Sequence, residues 1–129
     1  MQKIRYKNQT IGILVRAISR GSLPQTAVKE PLQLITIKHS KGKHLVAHTN
    51  PPVVLNNHSV QEGLVMRKGK IRMNLYGPDE KLFKKIILKP GDAFILQKGG
   101  HSFDFLEDSE FIEIKNGPKI WKTKILIEE

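Results

Sequence analysis

Lys68-Gly69-Lys70-Ile71-Arg72-Met73-Asn74-Leu75-Tyr76-Gly77-Pro78-Asp79-Glu80 is the stretch that decides the fold class. Between a glycine turn and a Gly-Pro-Asp turn, Ile71, Met73 and Leu75 alternate with Arg72, Asn74 and Tyr76. Successive side chains of a strand point to opposite faces, so this segment reads as a strand with one apolar and one polar face. The same grammar extends in both directions. Glycine and proline punctuate the chain at short intervals, as at Lys89-Pro90-Gly91-Asp92, and the segments between them are rich in Ile, Val, Leu and Phe. Strands are predicted at Ile11–Ile18, Leu32–Lys38, His44–Ala47, Val60–Arg67, Lys70–Tyr76, Phe83–Leu88, Ala93–Gln97, His101–Leu106, Glu110–Lys115 and Lys119–Ile127. No long window carries the roughly 3.6-residue period of an amphipathic helix; a short one has room only around Gln25–Glu30. So many short strands exceed what one open sheet holds comfortably, which points to an all-β protein of two facing sheets or a closed barrel.

The chain has 129 residues, 39% of them hydrophobic, which is the size and composition of one globular domain spanning 1–129. It has no cysteine, which excludes disulfides, thiolate metal sites and cysteine nucleophiles, and suits a reducing cytoplasm. No apolar run approaches the roughly 18 residues of a membrane helix. Met1-Gln2-Lys3-Ile4-Arg5 lacks the apolar centre of a signal peptide, so a cytoplasmic protein without membrane contact is expected. Neither a Gly-x-Ser-x-Gly elbow nor a phosphate-binding glycine loop is present.

The formal charge is +10, and residues 1–50 hold nine Lys and Arg against a single acid, Glu30. A basic first third attracts anions such as nucleic acid, a nucleotide or a phosphorylated sugar. Scattered lysines also read simply as a solvated surface. Single-strand nucleic-acid platforms need aromatic rings among the basic residues. Tyr6 is the sole aromatic in residues 1–50, so a nucleic-acid partner ranks last.

Histidines and glutamates on predicted strands carry the chemical signal. Glu62 shares a face with Val60 and Leu64, and burying a lone carboxylate costs several kcal/mol, so a partner is expected: a metal, a histidine, an arginine or a ligand. The candidate metal ligands are His48, Asn50, His58, Glu62 and His101, a set suited to Fe, Mn, Ni or Zn. Arg72, Asn74 and Tyr76 share a face that either lines a pocket for a hydroxyl-rich or phosphorylated ligand or forms an outward polar surface. Glu113 and Lys115 share another, as an acid–base pair at a barrel mouth or as partners in surface ion pairs. Phe103, Phe105 and Phe111 are expected in the core, and Trp121 in the core or a subunit interface.

Several segments, in order over roughly residues 10–118, resemble the cupin family. Glu62 is followed by six residues and Gly69, similar to the end of the first cupin motif. Pro90-Gly91-Asp92-Ala93-Phe94-Ile95-Leu96-Gln97-Lys98-Gly99-Gly100-His101 is similar to the second. Gln61-Glu62-Gly63-Leu64-Val65, Gly99-Gly100-His101-Ser102-Phe103 and Glu113-Ile114-Lys115-Asn116-Gly117-Pro118 resemble a group of short bacterial cupins found beside polysaccharide and nucleotide-sugar genes. The resemblance implies a double-stranded β-helix, or jelly-roll barrel, with its core at about 30–118 and little or no helix. It implies a homodimer, with N-terminal strands in 1–23 and a C-terminal strand at 119–127 in dimer contacts. The expected partner is a small polar or anionic metabolite, such as a nucleotide sugar, with or without a divalent metal. The roles it implies are catalysis by Glu62, His101 and Lys115 in an isomerase- or epimerase-like enzyme of surface-polysaccharide metabolism. The alternative is a non-catalytic binding or regulatory cupin that has lost its metal. Two departures bear on this choice. Asn50 stands where the motif has its second histidine, and Asn is a poor ligand for borderline metals, which leaves His58 as a substitute. The chain after Gly117-Pro118 also diverges from the group's polar tail.

Overall fold

The computed structural model describes residues 1–52, 59–117 and 126–129. Ten strands form in it: β1 (Gln2–Tyr6), β2 (Gln9–Val15), β3 (Gly21–Pro24), β4 (Ile35–Lys38), β5 (Glu62–Lys68), β6 (Ile71–Tyr76), β7 (Leu82–Leu88), β8 (Ala93–Leu96), β9 (Gly100–Phe105) and β10 (Glu110–Lys115). They make a five-stranded sheet in the order β1-β2-β8-β5-β10, a three-stranded sheet β7-β6-β9, and the hairpin β3-β4. Every pairing is antiparallel. The protein is all-β. Among the described residues there is no helix, and the ladders do not close into a barrel. The Gln25–Glu30 segment forms turns and bends instead of a helix.

The core lies between the two larger sheets. Leu14, Leu64, Met66, Phe94 and Leu96 come from one; Ile71, Met73, Leu75, Ile86 and Leu88 come from the other. The apolar face read from β6 is buried in this core, at Ile71, Met73 and Leu75, while Asn74 and Tyr76 on the other face are buried outside it. Each such side chain contributes about 1.5–3 kcal/mol on burial. Gly12 of β2 allows the close packing of Phe94, whose Cζ would lie 2.3 Å from a Cβ at that position.

β2 is buried along Ile11–Val15, and both of its faces are covered within the chain. The register shifts between Ile4 and Arg5, which leaves Ile11 opposite no residue of β1. This bulge lets Ile11 and Leu14 join the main core, while Ile13 and Val15 pack with Ile95 under Leu32 and Leu34. The two-faced apolar character of β2 therefore needs no second subunit.

The β1–β2 hairpin turns at Lys7 and Asn8, whose φ angles are 48° and 63°. Two left-handed central residues match the right-handed twist of a tight hairpin. Asp79, in the β6–β7 turn, receives the Tyr6 hydroxyl at 2.9 Å and the Lys7 ammonium at 3.0 Å, which ties the hairpin to the other sheet. Those bonds, led by the one from Lys7, hold the Asp79 carboxyl down at about 2.

Two sequence expectations are corrected. His44–Ala47 forms no strand: Leu45 and Val46 are exposed, so neither face finds a core. Phe105 is also exposed, while Phe103 and Phe111 are half-buried against the core. Trp121, and all but the end of the predicted strand Lys119–Ile127, lie outside the described residues.

Candidate functional site

Four polar side chains meet on the inner faces of the two large sheets. On β5, Glu62 occupies the same face as Leu64 and Met66, which are buried. β10 pairs antiparallel with β5 and sets Lys115 opposite Glu62 and Glu113 opposite Leu64. On β9, His101 is opposite Leu75 of β6, and Phe103 is opposite Met73, so both rings face inward. The ring of His101 meets Phe103 edge-on, with centroids 4.7 Å apart.

Glu62 is the hub. One carboxylate oxygen, Oε2, lies 3.2 Å from His101 Nε2, and the other, Oε1, accepts a bond from Lys115 Nζ at 3.0 Å. Glu113 stands beside them, with a carboxylate oxygen within 4.8 Å of the Glu62 and His101 ligand atoms. Burial pushes the Glu62 carboxyl up, while the Lys115 bond and the charges of His101 and Lys115 pull it down. The net result lies below the ordinary carboxylate value. Reciprocally, the hydrogen bond and charge of Glu62 raise Lys115 above the ordinary lysine value.

Glu62, His101 and Glu113 each offer a ligand atom, and these atoms lie within 4.8 Å of one another. Two carboxylates this close repel each other when both are ionised. With Lys115 offsetting one negative charge, the group has a place for one further positive charge, either a proton or a metal cation. The oxygen, oxygen and imidazole donors suit Mn, Fe, Ni or Zn. The cavity that Glu62, Leu64, Met73, Phe94, Leu96, His101, Phe103 and Glu113 line is about 10 Å³, room for one water or ion and not for a metabolite.

The structure brings together Glu62, His101, Glu113 and Lys115 of the residues singled out from sequence. Glu113, read there as a pocket or acid–base residue, joins Glu62 and His101 as a group that could hold a cation. His48 and Asn50 are exposed and do not join the group; His48 Nδ1 lies 3.0 Å from Val46 O in its own loop. His58 lies outside the described residues.

Arg72, Asn74 and Tyr76 face away from the main core. Asp104 accepts bonds from Arg72 and Asn74, each at 2.9 Å, and Asn74 also donates to Ser102 Oγ at 3.0 Å. The bonds from Asn74 and then Arg72 hold Asp104 below its ordinary value. This face belongs to a separate concavity.

Two further residues hold the site; both stand in the segments quoted for the resemblance, which did not show what they do. Gly99 adopts φ 80°, and a Cβ there would lie 2.1 Å from the Tyr76 carbonyl oxygen, so only glycine allows β9 to start where it places His101. Gln61, beside Glu62, is 2% exposed. Its amide donates to Glu30 at 2.8 Å, and its backbone N–H donates to Asn116 Oδ1 at 2.6 Å. Glu30, the lone acid of the first 50 residues, thus helps to fix the start of β5.

The chain matches no family model, no curated protein and no solved structure. No helix among the described residues is long and apolar enough to cross a membrane.

Proposed function

We propose that this chain is a cupin-type jelly roll that holds a divalent cation through Glu62, His101 and Glu113 and acts on a small polar or anionic metabolite. The observation that supports this is the convergence of those three ligand atoms, from two sheets, within 4.8 Å. Bound there, a cation supplies Lewis-acid polarisation of a substrate oxygen. Lys115 is the side chain with a proton to give or take at Nζ, and Glu62 keeps it charged in the resting site. The cavity around the ligands is too small for a sugar ring, so a substrate would lie across the opening, where Glu113 and Lys115 are exposed.

A second reading has its own observation. Glu62 and Glu113 lie close enough for a single proton to relieve their repulsion, and Lys115 already occupies one oxygen of Glu62. In that reading the cluster is a metal-free proton-sharing pair inside a binding or regulatory cupin. Metal content of untagged protein prepared without chelators separates the two. Near-stoichiometric metal that disappears with Glu62→Ala plus His101→Ala supports the cation. Protein that stays metal-free after reconstitution leaves the proton-sharing pair.

A further inference from the structure

The outer face of β6 and its neighbours carries a second concavity, on the opposite side of the three-stranded sheet from the Glu62 cluster. Its volume is about 210 Å³, and Asn74, Tyr76, Leu82, Lys85, Ser102, Asp104 and Glu129 contribute to its lining. This is below the roughly 300–1,000 Å³ of sites for drug-sized ligands, and fits one small molecule.

Its polar groups are incompletely matched. Asn74 is 7% exposed, and its amide nitrogen is fully used by Ser102 and Asp104, yet its Oδ1 has no hydrogen-bond partner. The amide orientation is fixed, because Asp104 can only accept. A buried acceptor left without a donor is costly, so a donor brought by a ligand recovers free energy. Lys85 stands opposite Asn74 on β7 and makes no ion pair within 4.0 Å among the described residues. Glu129 likewise has no ion pair there. Asp104 is already engaged by Arg72. Among the described residues, the lining groups without a hydrogen bond or ion pair are thus an acceptor (Asn74 Oδ1), a hydroxyl (Tyr76), an anion (Glu129) and a cation (Lys85), whose charge also acts on Asp104.

We propose that this outer concavity binds a small zwitterion of amino-acid size. Its ammonium group lies between Asn74 Oδ1 and Glu129, and its carboxylate meets Lys85. Oδ1 is shielded in the present arrangement, so a ligand reaches it only when the side chains over it move. With Asp104 and Glu129 against Lys85, the lining has no excess of positive charge to attract a phosphate. Lys85 and Glu129 complement formal charges better than the hydroxyls of a neutral polyol. Leu82 and Tyr76 provide an apolar wall for an aliphatic side chain. Phe103 contributes to both linings, but no polar side chain is shared with the proposed cation cluster.

The test is a titration of the isotope-labelled full chain, followed by backbone amide shifts, with L-leucine and with leucinamide, which lacks the carboxylate. L-leucine should move the amides of Asn74, Lys85 and Ser102 and leave those of Glu62 and Glu113 in place. Lys85→Met, an exposed change that spares the fold, should weaken leucine about tenfold, the effect of one lost charge-assisted bond. Leucinamide should bind the wild type and Lys85→Met equally weakly. The proposal is overturned if leucine moves none of these amides up to about 20 mM, a range that reveals millimolar affinity. It is equally overturned if leucinamide binds as tightly as leucine, or if Lys85→Met changes nothing.

Discussion

Glu62 Oε2 lies 3.2 Å from His101 Nε2, and this contact bridges the five-stranded and three-stranded sheets. It joins the two halves of the core at the place where their apolar packing gives way to charge. The pair has a structural role whatever the site binds, because Lys115 and Glu113 also converge on Glu62.

Replacing Glu62 by Gln removes that charge at nearly constant volume. It should cost about 1–3 kcal/mol, the worth of hydrogen bonds to a charged group in a largely buried place. Urea denaturation measures it, with an unchanged slope showing that the effect is on stability. An unchanged midpoint would mean that the Lys115 and His101 contacts carry no net energy.

The same carboxylate sets the acid limb of stability. Glu62 has a folded value below its ordinary 4.5, so the unfolded chain takes up its proton first as pH falls. Its contribution is full above pH 4.5 and is lost as pH drops through the lower folded value. Lys115, raised above 10.5, behaves in mirror image: its contribution is full below pH 10.5 and is lost as pH climbs through the folded value. Thermal melts against pH should show both limbs, and Glu62→Gln should flatten both. An acid limb as steep in Glu62→Gln as in wild type would assign that loss to other carboxylates, with Asp79 and Asp104 the first to consider.

Gly99→Ala should damage the site without touching a ligand. The new Cβ meets the Tyr76 carbonyl at 2.1 Å in a left-handed backbone, so β9 must shift away from β6. A cost of about 1–3 kcal/mol follows from overpacking and strain. The His101 ring resonances should move as well. If they stay in place while stability falls, β9 has absorbed the shift elsewhere.

Asn74→Asp puts a second carboxylate beside Asp104 and removes the donor that Asp104 and Ser102 accept from. Stability should drop at neutral pH and recover in part as the new pair takes up a proton in mild acid. Melting curves at pH 7 and pH 5 distinguish this from a simple loss of packing, which would not recover.

The period-two alternation that made the fold legible also carried the site. Glu62, His101, Glu113 and Lys115 all sit on regular strands; parity put Glu62 on the face of Leu64 and Glu113 on the face of Lys115, and left that second face open between a barrel mouth and the surface. Their convergence was not legible, since it depends on β10 pairing with β5 and on one sheet facing the other. His48 and Asn50 sit in an irregular segment where parity assigns no face. β1 escaped notice because Lys7-Asn8 is not the Asn-Gly or Asp-Gly signature of its turn type. β3 has little apolar character, and its Ser22 and Leu23 side chains stay exposed.

The central claim is that Glu62, His101 and Glu113 hold a cation. Its most direct test is elemental mass spectrometry on untagged protein purified without chelators, beside the Glu62→Ala, His101→Ala double variant. The account predicts close to one Mn, Fe, Ni or Zn per chain in the wild type and none in the variant. Wild-type protein that carries no metal, and takes up none on reconstitution, would contradict it.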